Sequence, residues 1–584
     1  MIKLFKKLNV TNIIYIIICI VLVALSVNLD LKIPDYMSEI TNLIKSEGIL
    51  NDILIVGFKM VLCAFGSLIV TIVIGYLASK ISAGFSKKLR EAIFKKVSKF
   101  SQGEMKKFGI DSLITRTTND VTQVEMLIGI GLQMLIKAPI MAVWAISKIL
   151  NKSLELSIFT GICVAILLVI IVIIMILVLP KFSMVQKLID DINLVSRENL
   201  TGVRVIRAFN AESYMEDKFD NKNKLLTKTQ LFNQRAIGFI FPFINFIMNF
   251  LSLGIYFIGA LLISTSIMSL KISMFSNVIV FTSYGIQVVL SFLMLAVIFM
   301  IVPRTEISAR RINEVLDTDL EVLDGNANII PSEIGTVEFK DVSFKYPDAD
   351  EYLLKDISFK ANKGEVVAIV GGTGSGKSTL VNLIPRFYDV TSGEILVDNI
   401  NIKDYKLNDL RSKLGYIPQR AFMFSDTITN NVLYGTVNSH KSTIKEAKEA
   451  LKIAEASEFV DKLENKMDYK IASGGTNLSG GQKQRISISR ALARDPEILI
   501  FDDSFSALDF KTDSKLRENI RKNMKDKTLF IVAQRVGTIM NADKIIVIDK
   551  GKIVGMGKHK ELLNNCKVYQ EICTSQLSKE ELNA

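Results

Sequence analysis

The chain has 584 residues, 49% of them hydrophobic, and a formal net charge of +12. Apolarity this high, gathered into long blocks before residue 305, excludes an ordinary soluble protein. Five cysteines (Cys19, Cys63, Cys163, Cys566 and Cys573), three of them in apolar blocks, exclude a disulfide framework and read as free thiols in a reducing compartment.

Six blocks are long enough for helices that cross a bilayer, at about 20 residues each: 12–30, 53–80, 127–149, 154–180, 237–264 and 274–302. The first lacks a small-residue cleavage site, so no cleavable signal peptide is expected. Loop charge sets the orientation. The N-terminal segment and the 83–126 and 181–235 loops hold three, nine and ten basic residues, against five in the loops opposite. The N-terminus and everything after residue 305 are therefore expected inside. The two basic loops carry apolar residues at helical spacing, which predicts helices running well past the membrane. Much of the positive charge sits there, so no nucleic acid is needed to explain it. Lys59 lies near the outer end of its block and can snorkel. Lys137 is deeper, either an intramembrane functional cation or another snorkelling lysine. Asn245, Asn249 and Gln287 can line a cavity or bond between helices. None of them names a cargo.

Residues 306–336, with Pro331 and Gly335, read as a linker between a membrane domain over 1–305 and a soluble domain over 337–575; a polar tail over 576–584 follows. Within the soluble domain "EVVAIV" runs straight into "GGTGSGKST", a strand, a glycine loop and a helix start. That order is a phosphate cradle: Gly371, Gly372, Thr373, Gly374, Ser375 and Gly376 turn backbone N–H groups inward, and Lys377 places a charge at the terminal phosphates. Ser378 supplies a magnesium ligand, and Thr379 closes the loop. A second apolar strand, "EILIF", ends in Asp502, a magnesium ligand by position, and Asp503, placed to orient or deprotonate water. "NLSGGQKQR" then opens another helix whose N-terminal N–H groups suit an anion. A second anion site beside a complete phosphate cradle makes sense if it closes over nucleotide held by another subunit.

These motifs resemble the ATP-binding cassette exporter family, over nearly the whole chain. The resemblance implies an α-helical six-span transmembrane domain with long cytoplasmic helical extensions, followed by an α/β P-loop ATPase domain, working with ATP and Mg2+ in a dimer of such halves. In "FKYP", Tyr346 is similar to the aromatic residue that stacks on adenine. In "YIPQ", Gln419 is similar to the glutamine that touches magnesium. Ser479, Gly480, Gly481 and Gln482 match the signature that closes over the partner's ATP, and Asp509 of "SALD" matches the loop at the dimer interface. "SLITRTTNDV" and "ENLTGVRVIRAFNAE" resemble segments around the coupling helices.

Two departures stand out. The family places glutamate where this chain has Asp503, and one methylene less withdraws the carboxylate by about 1 Å, a displacement that can cost roughly a hundredfold in rate. The family's switch histidine is replaced by Gln534, which hydrogen-bonds but carries no charge. The chain's histidines, His440 and His559, stand too far away in the motif order to take over. Gly474-Gly475 stands where exporters often carry a "GERG"-like segment. Together these resemble the degenerate-site half of bacterial heterodimeric multidrug exporters. The expected partner is a different half bearing the glutamate and histidine. A slow homodimeric exporter and an ATP-binding membrane regulator stay open. No protease segment precedes the first span, an expectation against a peptide-processing exporter.

Overall fold

The computed structural model describes residues 2–5, 10–45, 49–150, 153–265, 268–326, 334–435 and 443–576. His440, Pro331 and residues 577–584 of the expected tail lie outside this set. Two compact units emerge: Met1–Val97 with Asp111–Thr318, and Ser98–Ile110 with Asp319–Ala584.

The first unit is all helix. Six stretches among the described residues are long and apolar enough to cross a membrane: Thr11–Ile44, Leu50–Val97, Ile110–Leu150, Leu154–Thr201, Glu212–Thr265 and Met274–Asp317. They outrun a bilayer because the basic, amphipathic loop segments continue the same helices instead of breaking them. The sixth passes through Pro303 and reaches Asp317, so part of the stretch expected as linker is helical. Along the second helix Leu54, Phe58, Leu62, Phe65, Ile69 and Ile72 are all exposed. A stripe this apolar is untenable in water and ordinary in lipid, where each helix satisfies its own backbone.

Inside the bundle, the carboxylates of Asp30 and Asp35 are paired. Lys137 Nζ lies 3.0 Å from Asp30 Oδ2, and Ser67 Oγ donates to Asp30 Oδ1. Five residues on, Asp35 meets Lys148 at 2.7 Å and accepts from the buried Tyr284 hydroxyl at 2.6 Å. Lys137 thus has a carboxylate partner within the bundle. Gln287 Oε1 is buried without a hydrogen-bond partner among the described residues, whereas Asn245 and Asn249 are exposed.

The second unit holds two sheets. Strands β1 (Val337–Phe344), β2 (Leu354–Ala361), β4 (Ser392–Val397) and β5 (Ile400–Asn401) form an antiparallel sheet in the order β2-β1-β4-β5. Six others, β3 (Val366–Gly371), β6 (Leu414–Ile417), β7 (Ile498–Asp502), β8 (Thr528–Val532), β9 (Lys544–Asp549) and β10 (Lys552–Gly557), form a sheet ordered β10-β9-β3-β8-β7-β6. β7 and β8 are buried at every position, as parallel strands covered on both faces must be. The parallel register pairs Ile369 with Val532 and Val532 with Asp502. Three strands therefore finish side by side, at the edge where such sheets bind ligands. Buried Asp398 secures the entry to β1, accepting from the Gly335 and Thr336 N–H groups at 2.6 and 3.0 Å and pairing with Lys413 at 2.8 Å.

Residues Ser98–Ile110 belong to this second unit. Helix Gln102–Phe108 has a capping box between Ser101 and Glu104. Glu104, 2% exposed, also accepts from the Glu321 N–H at 2.7 Å.

Candidate functional site

β3 delivers the glycine loop. An added Cβ at Gly371 would stand 2.1 Å from the Ile548 carbonyl. Gly374 and Gly376 take φ of +79° and +99°, which side chains rarely adopt. Around Gly372 and Gly374, by contrast, a Cβ would meet nothing within 4 Å. The concave, backbone-lined face is thus open where an anion would lie. Ser375 Oγ is buried there with no hydrogen-bond partner among the described residues, and Lys377 Nζ bends back onto the Gly371 and Gly372 carbonyls at 2.9 and 2.7 Å. Burial pulls the Lys377 pKa down, opposed by the charges of Asp503 and Asp502. A buried hydroxyl and a half-desolvated ammonium, both short of an anion, fit phosphate.

β7 delivers the acids. Ser378 Oγ donates to Asp502 Oδ1 at 2.6 Å, and Tyr416 donates to Asp502 Oδ2 at 3.4 Å. Burial raises the Asp502 carboxyl above its ordinary pKa, with both hydrogen bonds opposing. Ser378 and Asp502 are the hard oxygen donors that magnesium takes, so the donor set fits that ion.

Asp503 lies one residue past the strand, with φ +49°. Its N–H donates to the Val532 carbonyl at 3.0 Å. Its Oδ2 accepts two amides, Gln419 Nε2 at 3.1 Å and Gln534 Nε2 at 2.9 Å. Burial raises its pKa, and the Gln419 bond opposes that. Gln419 follows β6, and Gln534 follows β8 by two residues. The sheet order thus converges Lys377, Ser378, Asp502, Asp503, Gln419 and Gln534 from four strand ends.

Tyr346, after β1, shares a 2.8 Å hydrogen bond between its hydroxyl and Thr379 Oγ1. Lys106 Nζ sits 5.7 Å from its ring centroid and 2.7 Å from Asp348 Oδ2. Reading the motifs missed Lys106, whose sequence neighbourhood is an unremarkable basic loop. Thr373 is exposed on the loop.

Ser479, Gly480, Gly481, Gln482 and Asp509 make no hydrogen bond to that cluster among the described residues. Ser479 caps helix Gly480–Leu492 in a reciprocal box with Gln482, at 3.3 and 2.9 Å. A Cβ at Gly480 would meet nothing within 4 Å. Asp509 caps helix Phe510–Asn523 through the Thr512 N–H at 3.0 Å. Both helix starts are formed and exposed. Gly474 and Gly475 both have positive φ, +66° and +69°, in the turn before the signature. His559 is buried against Tyr569, Nδ1 to Oη 2.7 Å, and makes no hydrogen bond to the cluster among the described residues.

Known families account for both units. The profile described as ABC transporter transmembrane region matches residues 16–292, and the profile ABC transporter matches residues 354–506. An uncharacterized ABC transporter ATP-binding protein of Mycobacterium tuberculosis is 39% identical over 518 residues, covering 88% of this chain and 87% of its own. The chain belongs to the ABC transporter family. It has the make-up of an exporter half-transporter, a multi-pass membrane protein with a cytoplasmic nucleotide-binding domain. The ATP-dependent lipid A-core flippase of Pseudomonas aeruginosa is 30% identical over 490 residues, covering 84% of this ABC exporter half and 79% of the flippase. The fold matches the structure of a bacterial Atm1-family ABC exporter with ATP bound, TM-score 0.80, 24% identity, covering 97% and 98% of the two chains. ABC exporters bind ATP and act as dimers in a lipid bilayer.

Proposed function

We propose that this chain is the weakly hydrolysing half of a heterodimeric exporter that moves an apolar or amphipathic substrate out of the cell. The observation that carries the reading is the pair of amides on Asp503 Oδ2. The shortened carboxylate is held at its own strand end by Gln419 and Gln534, while the residue expected to face the γ-phosphate is a neutral amide engaged with that same carboxylate. Such a site retains ATP better than it splits it. Magnesium, held by Ser378, Asp502 and the carbonyl end of Gln419, would neutralise charge between the terminal phosphates. Lys377 and the loop N–H groups hold the phosphates, and Tyr346 takes the adenine.

The formed, exposed signature at Ser479–Gln482, with Asp509, serves the partner's ATP. The resemblance to coupling helices gives helix Val203–Ala208, flanked by exposed Leu200 and Phe209, a docking role on the partner's nucleotide-binding domain. The amphipathic cargo agrees with the name of the Pseudomonas relative, a lipid A-core flippase, and with the heterodimeric multidrug exporters that this chain's Asp503 and Gln534 resemble. A homodimer hydrolysing slowly at two equal sites, or a regulator that binds ATP without transport, is separated by one experiment. ATPase and substrate flux are measured for this chain alone and co-purified with its candidate partner half. Low activity alone and high activity with flux together support the proposal. Robust ATPase from a pure homodimer, abolished by Lys377→Ala, refutes it.

A further inference from the structure

The helix Lys567–Gln576, the last among the described residues, brings Gln576 against the turn that carries Gln534. Gln576 Nε2 donates to the Gln534 carbonyl at 2.8 Å, and Gln576 Oε1 accepts from the Val536 N–H at 2.8 Å. One side-chain amide thereby completes two backbone groups where β8 has ended and no neighbouring strand can. Val536 opens the short helix Val536–Ile539, whose first N–H groups have no partner within the helix. The clasp is itself anchored. Tyr569 and Cys573, on the same helix, are fully buried, and the Tyr569 hydroxyl meets His559 Nδ1 at 2.7 Å. Gln534 is thus gripped at both ends, its side chain by Asp503 and its backbone by Gln576.

We infer that Gln576 is a positioning residue of the nucleotide site: it fixes the Gln534 peptide so that the side chain reaches the Asp503 carboxylate, making the seating of the last helix part of the switch. This rests on the assignment of Gln534 to the γ-phosphate side of the site. The two bonds differ chemically, which gives the idea a sharp prediction. In Gln576→Ala both are lost. In Gln576→Glu, at neutral pH, one carboxylate oxygen still accepts from Val536, but nothing donates to the Gln534 carbonyl and two oxygens repel.

The test uses the full transporter in lipid nanodiscs. Hydrogen exchange of the Val536 amide reports the clasp, and release of prebound radiolabelled ATP reports the site. In Gln576→Ala, Val536 should exchange about tenfold faster, the effect of losing one or two ordinary hydrogen bonds. In Gln576→Glu its protection should persist while ATP release changes as in the alanine variant. Adding Gln534→Ala should abolish the effect of either variant on ATP release, because residues acting in series are not additive. Unchanged Val536 exchange in Gln576→Ala would overturn the inference. So would an effect on ATP release of the same size with and without the Gln534 side chain, the mark of a merely structural helix end. Rapid hydrolysis at this chain's own site would refute the weak-site reading, yet leave the 534–576 coupling to be decided by the same cycle.

Discussion

Consider restoring both groups that the family carries, Asp503→Glu with Gln534→His. The added methylene advances the carboxylate by about 1.3 Å, given carbon–carbon bonds near 1.5 Å. That carries it past the two amides now 2.9 and 3.1 Å from Oδ2. A correction of that size is worth about a hundredfold in rate. Glutamate is less at ease than aspartate at φ +49°, which returns part of a roughly 1–2 kcal/mol left-handed penalty. A charged imidazole at position 534 adds a hydrogen bond of about 1.5–3 kcal/mol to the γ-phosphate. Together these predict at least tenfold faster hydrolysis at this site, roughly 1.4 kcal/mol. Each change alone should give far less, because Gln534 now bonds the carboxylate that must move. The assay is single-turnover cleavage of radiolabelled ATP, with the partner's catalytic glutamate changed to glutamine. The double variant should gain a pH dependence near 6.5 that Asp503→Glu alone lacks. If the partner's signature is intact and the double variant is no faster than the parent, these two residues are not what silences the site.

Ser479→Ala and Gly480→Asp should each lower the complex's steady-state ATPase at least tenfold, whereas Asp503→Asn should change it less than twofold; equal losses from all three would contradict the division of labour. Lys137→Leu should reduce the yield of folded transporter by stranding Asp30, and Lys137→Leu with Asp30→Asn should recover most of it, since breaking a half-buried pair leaves one charge uncompensated and removing both does not; size-exclusion profiles of the three proteins decide. Burial holds the His559 pKa below its ordinary value, so the unfolded chain binds the proton more readily. Stability of the nucleotide-binding domain should accordingly fall as pH drops below about 6.5 and level off below the folded pKa. His559→Gln should flatten that part of the melting-temperature profile.

Much of this architecture was legible because its signals are local. Each of the six apolar blocks and the strand–glycine–helix motif declares itself within about 30 residues, and the loop-charge asymmetry needs only a count of basic residues between the blocks. The convergence of Gly371, Asp502 and Gln534 was implied by their strand ends, and the parallel register supplies it. What escaped the motif reading was non-local and chemically plain. Asp30 ends an apolar block like any interfacial acid, and only packing pairs it with Lys137, 107 residues away. The Asp503 clasp needed two amides, 84 residues before it and 31 after it. Gln576 stood in a stretch read as polar tail, where a glutamine carries no pattern at all. Its role lies in the geometry of two backbone atoms.

Glu104 has a consequence for how the protein is made. The segment that bears it leaves the ribosome long before Glu321, whose N–H it accepts across 217 residues of chain. At about 5–20 residues per second, that is a wait of roughly 10–40 s. During it the carboxylate has its Ser101 neighbours but not its distant partner. A product truncated after the last span would keep this acceptor exposed for good. A nucleotide-binding half expressed alone would offer the Glu321 amide to water. The early loop therefore takes its final contact only once the chain past the last span has been made, and the first part of the ATPase unit waits on the start of the second.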